Sequence, residues 1–100
     1  MYFIIDYTDL PDTQELRAEI RPLHRAHIYQ DGTDVKIVLS GPTTRLDGRP
    51  GTMLVVQADD LEQAQQFAKT DPYVSKGVVE RVEVRSWNWV LGQPSSESKK

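Results

Sequence analysis

A histidine and an aspartate stand out as residues that could move a proton: His24, within EIRPLHRAHIY at residues 19–29, and Asp71, within TDPYVSKG at residues 70–77. Histidine accepts and returns protons near neutral pH more readily than any other side chain. His24 follows Arg21 and Pro22, where a helical turn is expected to start, and the partial positive charge of helix-start amides favours a neutral, proton-accepting ring. Asp71 follows a helical pattern in phase with Leu61, Ala64 and Phe67 or Ala68, which directs it toward the same layer as His24. Each residue also has a plain structural role open to it. His24 suits a half-buried ring bonded to nearby backbone, and Asp71, ahead of Pro72, suits a helix cap. One carboxylate can cap a helix and orient an imidazole at once.

His27 lies three residues after His24, so the two rings could share a metal ion. A metal site needs a third protein ligand with supporting hydrogen bonds, and no other spacing supplies one, so none is expected. Arg17, Arg21 and Arg25, spaced by four, form a basic edge on the helical segment, and Arg21 beside His24 could hold an anionic substrate through paired hydrogen bonds. The chain has no cysteine, which excludes thiol nucleophiles, zinc–thiolate sites and disulfides. It also lacks a G-x-S-x-G elbow, a Walker loop and a dinucleotide fingerprint, so no nucleotide cofactor is expected.

The 100 residues suffice for one compact domain. Twelve Lys and Arg against 15 Asp and Glu give a net charge of -3. No basic run interleaves with aromatics, which argues against a nucleic-acid partner. The stretch MYFIIDYTD has no basic leader, and its apolar run is far short of the ~20 residues that span a bilayer. A soluble, cytoplasmic protein without membrane contact is expected. The last stretch, GQPSSESKK, has lost its apolar residues, so a folded domain over 1–91 and a disordered tail over 92–100 are expected.

The elements that must position these groups follow from periodicity. Tyr2–Tyr7 reads as a strand. A helical stripe of Leu16, Ile20, His24 and Ile28 follows, with Pro22 expected to split it into a helix ending near Glu19 and another starting at Pro22. VKIVLS reads as a strand stopped by Gly41 and Pro42, GPTTRLDGRPG as an irregular loop, and Thr52–Ala58 as a third strand. Asp59 to Glu62 has the shape of a cap ahead of a helix bearing Leu61, Ala64, Phe67 and Ala68 inward and stopping by Thr70. One more turn, capped by Asp71 and closed by Gly77, leads to a long strand with Val82 and Val84 on one face and Arg85, Trp87 and Trp89 on the other.

This β-α-β-β-α-β order predicts an α+β, ferredoxin-like domain: a four-stranded antiparallel sheet with its helices on one face. The first and third strands become the central pair. They are apolar on both faces, with Phe3, Ile5 and Tyr7 opposite Tyr2 and Ile4, and Leu54 and Val56 opposite Met53 and Val55. An uncovered apolar face predicts a homodimer packed through it.

Three stretches, RPLHRAH, LSGP and DLEQAQQFAKTDPYVSKGV, in this order and spacing, resemble the YCII-related proteins. In that family an R-P-x-H helix start, an A-G-P strand end, an acidic-capped helix with alanines and a D-P-Y or D-P-F followed by glycine recur. The resemblance runs to about Trp89; Ser40 stands where alanine is commoner, and the loop from Thr43 to Gly51 is individual. It implies a dimeric α+β barrel, as formed by muconolactone isomerases and small cofactor-free monooxygenases. It also implies a histidine–aspartate pair in a cleft, here His24 and Asp71, with Ser40, Gly41, Pro42 and Tyr73 on the rim. At least one relative dehydrochlorinates a chlorinated aromatic breakdown product. The expectation is thus a small cofactor-free enzyme working by acid–base elimination, isomerisation or hydrolysis, or alternatively a non-catalytic module that binds a small metabolite in the same cleft.

Overall fold

The computed structural model describes residues 1–30 and 32–93. Its elements run β1 (Tyr2–Asp9), α1 (Gln14–Ile28), β2 (Lys36–Thr44), β3 (Pro50–Gln57), α2 (Leu61–Lys69), α3 (Pro72–Ser75) and β4 (Val79–Trp87). The strands form one antiparallel sheet in the order β2-β3-β1-β4. This is the ferredoxin-like arrangement, with the first and third strands at the centre as expected. Strand alternation sends Phe3, Ile5 and Tyr7 of β1 and Leu54 and Val56 of β3 to one face, where they meet Ile20, Ile28, Ala64, Phe67, Ala68 and Tyr73 from the helices. Each large side chain so buried contributes about 1.5–3 kcal/mol.

The other sheet face carries Ile4 paired with Val55, and Met53 across from Asp6. Leu39 pairs with Val55 from the opposite side. Val55 is buried by its neighbours on that face, while Leu39 and Met53 are exposed.

Four local expectations fail, each for a physical reason. Helix α1 is continuous through Pro22 instead of breaking there. Pro22 and Ala18 both lie on the exposed side, so the Ala18 carbonyl that loses its helical donor faces water. Strand β2 runs through Gly41 and Pro42 to Thr44, because β2 is an edge strand, where a missing N–H is tolerated. The supposed irregular loop therefore shrinks to a tight connection, in which the Arg45 amide donates to Arg49 and the Gly48 amide to Arg45. The cap of α2 is Asp60, one residue later than expected: its side chain accepts the Gln63 amide, and Gln63 reaches back to the Asp59 amide. Leu61, expected inward, is the first residue of α2 and is exposed.

β4 ends at Trp87. Trp89 lies beyond it and stacks on Trp87 with centroids 4.8 Å apart. Of the expected disordered tail, Gly92 and Gln93 are described, and the Gln93 amide donates to the Trp89 carbonyl. The tail's residues 94–100 lie outside the described residues.

Candidate active site

Helix α1 buries Arg17, Ile20, His24 and Ile28 on one face. Ile20 and Ile28 sit one turn either side of His24 and are anchored in the core, which fixes the rotation of the helix about its axis and turns the imidazole inward. His24 is 6% exposed. Because α1 is unbroken, His24 lies in its second half and not at a helix start, so the expected electrostatic effect of helix-start amides does not operate there.

Asp71 caps α3, its Oδ1 accepting the Tyr73 amide at 3.0 Å. The same carboxylate lies 2.9 Å from His24 Nδ1 through each of its oxygens. The Tyr7 hydroxyl donates to Oδ2 at 2.9 Å. Asp71 is completely buried, and these three donors offset the cost of burying its charge. A carboxylate only accepts, so Nδ1 carries the proton and Nε2 of the neutral ring is the acceptor. Burial, and then the negative charge of Asp71, push the Tyr7 phenol far above its ordinary value of 10.0, so it stays a neutral donor. The Tyr73 ring stacks against His24, centroids 3.9 Å apart and planes 14° apart.

The basic edge expected along α1 is divided by the structure. Arg21 and Arg25 are exposed, whereas Arg17, two turns before His24 on the same face, is buried. Its Nη1 donates to Asp9 Oδ2 at 2.7 Å, and its Nη2 to the Thr52 hydroxyl at 2.7 Å and to the Gly51 carbonyl at 3.1 Å. The guanidinium carbon stands 4.7 Å from the centroid of the Tyr73 ring. Asp9 is completely buried, and its Oδ1 has no hydrogen-bond partner among the described residues. Burial raises its carboxyl above the ordinary range, against the opposing pull of the Arg17 hydrogen bond and charge.

Arg21, Ser40, Gly41, Pro42 and Tyr73, the residues expected around a substrate, line one cleft of about 380 Å³ together with His24 and Arg17. Asp71 stands behind His24 and does not line it. That volume suits a small organic molecule. Two larger depressions, about 490 Å³ beside β2 and about 500 Å³ beside the β2–β3 connection, are not lined by histidine. His27 does not join His24: its Nε2–H donates to the Phe67 carbonyl at 2.9 Å and its ring stacks on Phe67, so no shared metal site forms.

Sequence reasoning missed Tyr7, Arg17 and Asp9. Arg17 was within reach of helix phase, being seven residues before His24, but an arginine is counted as surface by default. Strand alternation places Tyr7 on one face with Phe3 and Ile5, with nothing to show whether that face turns to the helices or which acceptor its hydroxyl meets.

The YCII-related domain matches this chain over residues 1–88. Protein YciI of Escherichia coli and a protein of Haemophilus influenzae are each 31% identical to it over 98 residues, covering 91% of this chain and 100% of their own. Among solved structures, 5-chloro-2-hydroxyhydroquinone dehydrochlorinase (TftG) from Burkholderia phenoliruptrix, in complex with 2,5-dihydroxybenzoquinone, shares the fold. Its TM-score is 0.75 at 22% identity, over 88% of this chain and 94% of its own.

Proposed function

The chain belongs to the YCII-related domain family, and on that premise we propose that it is an enzyme in which His24, oriented by Asp71, moves a proton on a small organic acid or phenol-like substrate. The observation that carries this reading is the Nδ1–carboxylate contact of 2.9 Å, which leaves Nε2 without a protein partner among the described residues on a ring that lines the cleft. A proton drawn from the substrate, or from a water attacking it, passes to Nε2. The resulting imidazolium is stabilised by the buried carboxylate and returns the proton to a leaving or receiving atom. This serves an elimination, an isomerisation or a hydrolysis, and it uses the chain's own groups without a cofactor. The dehydrochlorinase of the same fold supports the elimination form.

Arg21, Ser40, Gly41, Pro42 and Tyr73 give the substrate its walls in this reading. The working form is a cytoplasmic homodimer, an α+β barrel closed through the open sheet face; the uncovered Leu39 and Met53 support it. Turnover of small phenols and carboxylic acids by the His24→Ala variant should fall by about 100- to 10,000-fold relative to the unmodified protein. Undiminished turnover in that variant refutes the mechanism. Wild-type protein that binds a ligand and never transforms it, with the same affinity in His24→Gln, is a binding module instead.

A further inference from the structure

We infer that Arg17, more than Arg21, receives the negative charge of the ligand, and that the cleft therefore selects a small organic anion over its uncharged isostere. This rests on the proposed reading only in placing the ligand in the His24 cleft. Among the described residues, three arginines line that cleft and no carboxylate does. They are not equivalent. Arg17 is held by Asp9, Thr52 and Gly51, so an anion meeting it immobilises no further side chain. Arg21 is exposed, and its charge is screened by solvent and its rotamers must be ordered on binding.

A guanidinium has five N–H groups, and the contacts of Arg17 use one on Nη1 and two on Nη2. The remaining donors, on Nε and Nη1, have no acceptor among the described residues. Arg17 lines the cleft, and none of its nitrogens is both fully buried and without a partner, so these donors can be reached from the cleft, where an anion with oxygen acceptors would pair with them. Asp9 engages Arg17 through Oδ2 on Nη1 alone, which leaves the Nε side of the guanidinium out of this ion pair. Arg17 and His24 both pack on the Tyr73 ring, at 4.7 Å and 3.9 Å from its centroid. Both line the same cleft of about 380 Å³, so the ligand that fills it can meet both the guanidinium and the base.

Benzoate and benzamide test this, since they share a shape and differ in charge. Calorimetric titration of the full chain should give benzoate about tenfold tighter binding than benzamide, the scale of one charge-assisted hydrogen bond. In 15N-correlated spectra the Nε–H resonance of Arg17 should shift with benzoate and stay in place with benzamide. Arg17→Lys should weaken benzoate about tenfold and leave benzamide unchanged, while Arg21→Gln weakens benzoate by about threefold or less. His24→Gln should still bind benzoate, so a failure of the proton-transfer reading leaves this result standing. Equal affinity for the two probes, including none for either, overturns the inference. So does an Arg17 resonance that ignores benzoate, a readout in unmodified protein that does not depend on how the lysine variant folds.

Discussion

Asp71 caps α3 through Oδ1, takes the Tyr7 phenol on Oδ2 and faces His24 Nδ1 with both oxygens. At the scale of single residues, the consequence of this crowding falls on Tyr7. Replacing it with phenylalanine removes a hydrogen bond to a charged acceptor, which should cost about 1.5–3 kcal/mol at neutral pH. The sign of the pH dependence follows from the raised phenol. The folded state keeps the proton where the unfolded chain, at its ordinary 10.0, has released it. The stabilising contribution is therefore complete below pH 10.0 and is lost as pH rises beyond it, by up to about 1.4 kcal/mol per pH unit. Urea unfolding of the unmodified protein and Tyr7→Phe should show a stability gap at pH 7 that narrows above pH 10. A gap that stays constant to the alkaline limit of folding contradicts the assignment. Strand alternation groups Tyr7 with Phe3 and Ile5 on one face, but both faces are apolar and its partner lies 64 residues away, so no local pattern points to it.

Two elements carry local conflicts that the fold overrides. Pro22 sits inside α1 at an exposed position. Alanine there restores the helical hydrogen bond and relieves the ring's clash; allowing for the freer unfolded chain, Pro22→Ala should stabilise the protein by about 2 kcal/mol, read by chemical denaturation. Destabilisation would mean that the proline shapes α1 in a way its neighbours require. Gly51 presents the opposite case. A Cβ placed on it would stand 2.2 Å from the Tyr7 carbonyl and 2.9 Å from Thr43 Oγ1. Gly51→Ala should therefore push β1 and β3 apart at a cost of about 3 kcal/mol. It should also disturb Arg17, which the Gly51 carbonyl holds. A fully stable variant with an unmoved Arg17 Nε–H resonance would show that the strands give way without loss. The sequence marks Gly51 and Pro50 as breakers of structure; both are strand residues, Pro50 as the first residue of β3, where a missing N–H is tolerated, and Gly51 where close strand approach favours a residue without a side chain.

For the molecule as a whole, the described residues put three helices on one face of the sheet and none on the other, which carries Ile4, Val55, Leu39 and Met53. The proposed homodimer buries that second face. Sedimentation of the unmodified chain should give a dimer whose population falls on dilution, and Met53→Glu, at an exposed position on that face, should shift it to monomer without unfolding it. A wild-type monomer at every concentration removes the barrel from the proposed function. The cleft of His24 lies on the helical side, so its acid–base geometry and the dimer are separate questions with separate measurements.

Period-2 and period-3.6 patterning determined the order of elements and which residues of a strand share a face, because these depend on residues a few positions apart. That order implied the central strand pair. Which face turns to the helices stayed open, since the central strands are apolar on both. The same local chemistry marked Asp71 as a cap, and helix phase together with the family resemblance paired it with His24. Tertiary packing decided the rest: an α1 unbroken at Pro22, the burial of Arg17 against Asp9, and the meeting of Tyr7 with a carboxylate that His24 also faces from 47 residues away. Those contacts arise where separate elements are pressed together by the burial of their apolar faces. Their partners are set by the rotation and offset of whole helices on the sheet, which no stretch of chain encodes by itself.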